Sequence, residues 1–265
     1  MISAQASGSW LPTLQDQIHH FTIGQHTQGS GQTQTTSKNG QGHVQCSLHA
    51  QLPNSVLPKL FERLVALCGN IEFDYQQNLW EHEICYQPEA ETPFGASRNE
   101  DAALRLRANV LSSDGEFVKL HDRKWTLCFN GAPEPPKPGD RKRVTQRVIY
   151  ESGIEGDALR YVEMLGYKFN FELVRKGYIF TYNDLRITIF RAYALEARHK
   201  VTTAVPIDAN NDSWIVQVTS PFVHTEGVPK VAQELHAFAE YMGGLIKLIV
   251  VDHTVLRNRI YYHQT

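Results

Sequence analysis

Apolar and polar positions alternate with period two along most of the chain. Leu104-Arg-Leu-Arg-Ala-Asn-Val110 alternates cleanly. Val144, Gln146, Val148 and Tyr150 share one side of a later run, and Tyr167, Phe169, Phe171 and Leu173 alternate with Lys168, Asn170 and Glu172. Further strands are predicted over Val44–Leu52, Phe73–Tyr86 with a break at Gln76–Asn78, Tyr178–Tyr182, Leu185–Tyr193 and Trp214–Thr219. Phe117–Leu120 reads as a hairpin with Trp125–Phe129 across Asp122-Arg123, and Gly177 and Asn183-Asp184 read as turns. Alternation bounded by Gly, Asn, Asp and Pro is the signature of a half-buried strand.

Three segments change to the helical period. After Asn54/Ser55 as candidate N-cap, Leu57, Leu60, Phe61, Leu64, Val65 and Cys68 form one apolar stripe, and Gly69 sits where a C′ glycine belongs. A short helix is predicted over Asp157–Leu165 with Gly166 as its stop. A third runs over Pro229–Met242, with Val231, Leu235, Phe238 and Met242 inward and Gly243-Gly244 at its end. A strand-like tail, Leu245–Val251, follows.

The order is strand, helix, several strands, helix, several strands, helix. Short turns between alternating strands argue for antiparallel pairing. So many half-buried strands must hide their edges, and a closed barrel hides all of them. The expected fold is α+β, mostly β: a closed antiparallel barrel with about three flanking helices over its openings or one flank.

Composition divides the chain. Of the 21 residues from Thr22 to Gly42, 17 are Gln, Gly, Ser or Thr, too few apolar groups to offset the entropy of ordering. Residues 1–42 are therefore expected to be a disordered arm and 43–265 a single barrel domain. His19, His20 and His26 lie in the arm with no acidic or cysteine partner nearby, so polar low complexity is preferred over a metal site. Three polar loops interrupt the domain: Gln87–Asp101, the proline-rich Gly131–Asp140 and Glu196–Asp212. Lys+Arg of 26 against Asp+Glu of 28 gives a net charge of -2, without the basic excess of a general nucleic-acid binder. No apolar run approaches the ~20 residues that span a bilayer, and the first residues lack the pattern of a signal peptide. A soluble intracellular chain is expected. Cys46, Cys68, Cys85 and Cys128 show no paired short spacing, which favours reduced core thiols over zinc ligands.

Motifs for chemistry are sparse. There is no GxSxG elbow and no phosphate-cradling glycine motif ahead of a helix. In a strand, Glu81 and Glu83 share a face and His82 points the other way. That pair could hold a metal, although a solvated strand face is the plainer reading. Arg105 and Arg107 also share a face, either as an anion-facing pair inside a barrel or, by modest preference, as an outward solvated one. Lys137, Arg141, Lys142, Arg143 and Arg147 could form a phosphate patch or a nuclear address, and more simply a solvated loop edge. Trp80, Trp125 and Trp214 are expected in the core or barrel wall.

An ordered set of segments resembles a known family. Val44–Asn70, VQCSLHAQLPNSVLPKLFERLVALCGN, resembles the opening strand and helix of Mediator complex subunit 18, including the Leu67-Cys-Gly-Asn70 helix end. His82-Glu83, the Leu104-Arg-Leu-Arg strand and the late Phe238-Ala239-Glu240 are similar too. The strongest piece runs from Arg160 to Tyr193: the helix end Glu163-Met-Leu-Gly166, the strand Tyr167–Val174, the turn Lys176-Gly177 and the strand Ile187–Tyr193 follow the family's order. The resemblance covers roughly 43–265.

It implies a barrel like that of the triphosphate tunnel enzymes. Those enzymes carry Glu-x-Glu-x-Lys on the first strand. Here Gln45, Ser47 and His49 occupy one face of that strand and Val44, Cys46 and Leu48 the other, and Trp214–Thr219 also lacks a Glu-x-Glu pair. The expectation is therefore a protein without catalytic residues, metal or cofactor: a nuclear, protein-binding subunit of the Mediator head module in RNA polymerase II transcription. Its implied partners are Mediator subunit 20 and a C-terminal helix of Mediator subunit 8. A metal-dependent tunnel-type phosphohydrolase built on Glu81, Glu83, Arg105 and Arg107 is the alternative. An RNA-binding barrel working through Arg141–Arg147 is the third reading.

Overall fold

The computed structural model of the chain describes residues 43–69, 78–89, 91–92, 95–96, 103–134 and 144–251, all within the unit Gly42–Thr265. The arm with its histidines, the predicted strand residues before Asn78, and Lys137, Arg141, Lys142 and Arg143 lie outside the described residues.

Eight antiparallel strands form the wall: β1 (Val44–Pro53), β2 (Leu79–Pro88), β3 (Leu104–Asn109), β4 (Trp125–Pro133), β5 (Thr145–Ile154), β6 (Tyr167–Tyr182), β7 (Leu185–Leu195) and β8 (Ser213–Thr219). Their order is β7-β8-β1-β5-β4-β3-β2-β6, and β6 pairs back onto β7, so the barrel is closed. A three-residue strand, Ala204–Pro206, pairs beside the far end of β7. Three α-helices accompany the wall: α1 (Leu57–Cys68), α2 (Ala158–Met164) and α3 (Val228–Tyr241). The expected fold class holds.

Alternation sorts each strand into two faces. Val44, Cys46, Leu48, Ala50 and Leu52 of β1 join Tyr178, Phe180, Ile187, Ile189, Val216 and Val218 in one apolar cluster beneath Leu60, Phe61 and Leu64 of α1 and Val231, Leu235 and Phe238 of α3. The main core thus lies between the outer barrel wall and two helices. The other face of each strand lines the interior, and the cavity there takes side chains from all eight strands.

Local chemistry explains the helix ends. Gly69 adopts φ 68 and returns its N–H to the Val65 carbonyl. Asp157 caps α2, its carboxylate accepting from the Arg160 N–H at 3.0 Å. The expected Asn54/Ser55 cap of α1 is absent. A 3-10 turn at Asn54–Val56 precedes the helix, and no side chain caps it. Asn54 Oδ1 instead accepts from Trp214 Nε1 at 2.8 Å and from Arg191.

Three further expectations are corrected. Gly177 is no turn, because β6 runs unbroken for 16 residues. A Cβ at Gly177 would sit 1.9 Å from the Ile189 carbonyl oxygen, so the glycine marks a close approach of two strands. Phe117–Leu120 does not pair with β4. Phe117 bridges Leu111, Leu120–Asp122 is a 3-10 turn, and β4 pairs with β3 and β5. The tail Leu245–Val251 makes a single bridge, Ile249 to His49, rather than a strand. The turn at Asn183 is present, with φ 50.

Candidate functional site

The barrel interior is a charged site built by strand register. β2 sets Glu83 opposite Arg107 on β3 and Glu81 opposite Arg175 on β6. Glu83 Oε1 accepts from Arg105 Nε at 3.1 Å, and Oε2 accepts from Arg107 Nε at 2.8 Å. Arg175 Nη2 bonds Glu81 Oε1 and stands 3.6 Å from Glu83 Oε2. Glu151 reaches Arg107 Nη1 at 3.6 Å. Three guanidiniums thus share two adjacent carboxylates.

The electrostatics follow. Burial alone would raise the Glu83 pKa, but Arg107, Arg175 and Arg105 outweigh it and hold the carboxyl at about 2. Burial, reinforced by repulsion from Arg105 and Arg107, lowers Arg147 to about 10, and its Nε donates to the Gly131 carbonyl at 2.9 Å. Burial and Arg147 together lower His49 to about 4, so this ring is neutral at pH 7. Cys128 is pushed up to about 12, first by burial. A carboxylate with so low a pKa is a poor general base at neutral pH, and a thiol so high is a poor nucleophile. Neither Glu83 nor Cys128 is therefore suited to move protons at neutral pH.

A second cluster lies where β2 turns its other face outward. His82 is fully buried. Its Nε2 stands 2.8 Å from Glu172 Oε2, and Arg123 Nη1 stands 2.7 Å from its Nδ1. A guanidinium only donates, so Nδ1 accepts and Nε2 carries the proton given to Glu172. His199 Nδ1 meets the same Oε2 at 2.8 Å, and the His199 N–H donates to Oε1 at 2.7 Å. Burial opposes ionisation of Glu172, yet these bonds from His82 and His199 hold its pKa at about 2. His82 Nε2, Glu172 and His199 lie close enough together to ligate a metal. However, ligation through Nε2 would move the ring proton to Nδ1, against the Arg123 donor. The donor set therefore fits a hydrogen-bonded clamp on the 196–203 loop better than a metal centre. His199 sits at φ 63, a left-handed conformation that costs a non-glycine residue about 1–3 kcal/mol.

Several sequence readings change here. Glu83 is buried and Glu81 partly so, and their shared strand face lines the interior instead of the outer surface. Arg105 and Arg107 point inward, reversing the modest preference for an outward face. Arg147, the one described member of the basic run, is held at the Gly131 carbonyl instead of forming a loop-edge patch. Glu172, read as one of the polar positions of an alternating strand, is buried within the clamp. Trp125 and Trp214 are buried as expected. Cys46, Cys85 and Cys128 are buried free thiols and Cys68 is a partly buried one. Reasoning along the sequence did not find the His82–Glu172–His199 cluster, since its members are 90 and 27 positions apart and none stands in a local motif.

Comparison with known proteins places this architecture. The family model described as Med18 protein matches residues 44–259, the whole barrel. "Mediator of RNA polymerase II transcription subunit 18" of Yarrowia lipolytica is 25% identical over 235 residues, covering 82% of this chain and 99% of that protein. The Drosophila melanogaster protein of the same name is also 25% identical, over 78% of this chain and 85% of its own length. A chain in the Schizosaccharomyces pombe Mediator head module superposes with a TM-score of 0.63 at 18% identity, covering 78% of this chain and 98% of that one, a likeness of fold. With the match running from the first barrel strand past the last, the chain belongs to the Med18 family.

Proposed function

We propose that the chain is a non-catalytic subunit of the Mediator head module, serving in the nucleus as a protein-binding scaffold for RNA polymerase II transcription. The observation that carries this reading is the family match across the complete barrel, with relatives that bear the Mediator subunit 18 name matched over 99% and 85% of their own length. The interior supports the non-catalytic part. Glu81 and Glu83, the carboxylates that a metal-dependent phosphohydrolase would need free, are engaged by Arg105, Arg107 and Arg175. The finer partners of this reading are Mediator subunit 20 and a C-terminal helix of Mediator subunit 8, which would dock by an apolar stripe.

Co-expression with subunits 8 and 20, followed by size-exclusion chromatography with mass determination, tests the scaffold role. A stable complex with one copy of each is expected, and a monodisperse monomer that ignores both partners would overturn it. The non-catalytic part is tested by phosphate release from a triphosphate with Mg²⁺ or Mn²⁺. Release that disappears in Glu81→Gln or Glu83→Gln would refute it.

A further inference from the structure

The interior cavity, about 360 Å³ in volume, is lined by Arg107, Lys124, Arg175 and Arg186 against Glu81 and Glu151. With Glu83 and its partner Arg105, which stand in the same ion network behind the wall, five cations face three carboxylates and leave an excess of two positive charges, in a chain whose formal charge is -2. Arg107 and Arg175 are engaged by Glu81 and Glu83. Lys124 and Arg186 form no ion pair among the described residues. Both are exposed, as is Glu151, which places them where the cavity meets solvent. Between the charges stand hydroxyl and amide side chains, Thr126, Thr188 and Gln217, suited to donate to an oxyanion. A volume of this size lies within the range of small-molecule sites. The charge pattern is also graded. Within the lining, the deeper guanidiniums Arg107 and Arg175 are paired with carboxylates, and Lys124 and Arg186 are at the opening.

We propose that the barrel interior is a metal-independent binding site for a small dianion of the phosphate type, captured by Lys124 and Arg186 and held against Arg107 and Arg175. A dianion matches the local excess of two charges, which a monocarboxylate does not. Guanidiniums present two parallel N–H groups to phosphate oxygens, and an ammonium adds a point charge. Glu151 is the opposing element: its carboxylate shares the cavity wall and repels the ligand.

The test is calorimetric titration of the full chain with inorganic phosphate, pyrophosphate and acetate at matched ionic strength in EDTA. Saturable binding of phosphate or pyrophosphate, with none for acetate, is expected. Pyrophosphate without phosphate would identify the ligand as a longer phosphate chain or ester. Phosphate alone would identify the free ion. Lys124→Gln and Arg186→Gln should each weaken binding about fivefold, and Glu151→Gln should tighten it by a similar factor. All three side chains are exposed, and unchanged circular dichroism would show that the fold is kept. Absence of saturable binding, or affinity indifferent to all three substitutions, would overturn the proposal. This outcome is independent of the partner experiments, because assembly with other subunits does not require an occupied interior.

Discussion

Glu83→Gln tests whether the interior ion network holds the barrel together. The substitution keeps the shape of the side chain and removes one charge from beneath three guanidiniums. The carboxyl titrates at about 2 instead of 4.5. At 1.36 kcal/mol per pH unit, that gap corresponds to roughly 3 kcal/mol of stabilisation of the ionised form. Mutational experience with buried ion pairs gives about 3–5 kcal/mol when one partner is removed. The lower end applies here, because Arg105, Arg107 and Arg175 keep 16–23% of their side-chain surface in water. For a domain of this size, a loss of about 3 kcal/mol lowers Tm by about 6–12 °C. The sign with pH is fixed. A depressed carboxyl contributes stability above its ordinary pKa, and that stability is lost as pH falls from 4.5 through about 2. Urea denaturation of both proteins from pH 7 to pH 2 should therefore show a gap that is full at neutral pH and closes near pH 2. Glu172 titrates in the same window but is present in both chains, so it cancels in the difference. A gap under about 1 kcal/mol at pH 7, or one that stays constant down to pH 3, would refute the reasoning.

Other positions give sharper contrasts. Gly177→Ala places a methyl group 1.9 Å from the Ile189 carbonyl, whereas a Cβ at Gly153 meets nothing within 4 Å. The first should cost at least about 3 kcal/mol in chemical denaturation, and the second should stay within about 1 kcal/mol of the parent. His199→Ala removes a side-chain bond to Glu172, and hydrogen exchange should speed up across residues 196–203 while the amides of β1 and β8 stay protected. Uniform acceleration throughout the barrel would contradict a local clamp. Asn54→Ala strands the Trp214 indole N–H and should lower stability by about 1–3 kcal/mol. A neutral effect would mean that water replaces the amide.

The barrel itself was legible because its evidence is local. Alternation such as Leu104-Arg-Leu-Arg is set by adjacent residues, and the stripe Leu57–Cys68 with Gly69 needs only one helix to be recognised. Facing was not legible in the same way. The two faces of Glu81/Glu83 and of Arg105/Arg107 were evident, but which face turns inward depends on register with strands far along the chain. A closed barrel with an ionic interior also inverts the usual rule, since here the charged face is enclosed and the apolar face lies under helices. Gly177 misled for a related reason. A glycine reads as a turn until the neighbouring strand is known to pass within van der Waals distance. The clamp was least accessible, because Glu172 and His199 are ordinary polar residues until His82 and Arg123 are brought beside them.

The strand order has a consequence for how the chain is made. β1 is the first strand of the wall to leave the ribosome, yet it pairs with β5 and β8, and Ser47 meets Thr219 only when 172 further residues exist. At about 5–20 residues per second, β1 waits roughly 10–35 s for that neighbour. During this time its row of Val44, Cys46, Leu48, Ala50 and Leu52 has α1 as its nearest shelter in sequence. Closure then rests on the five residues Leu173–Gly177, which are hydrogen-bonded to β2 on one side and β7 on the other. A nascent chain released before Thr219 would present open edges at both β1 and β7. For many seconds the growing chain is therefore an unfinished sheet, whose unpaired edges are open to pairing with other chains.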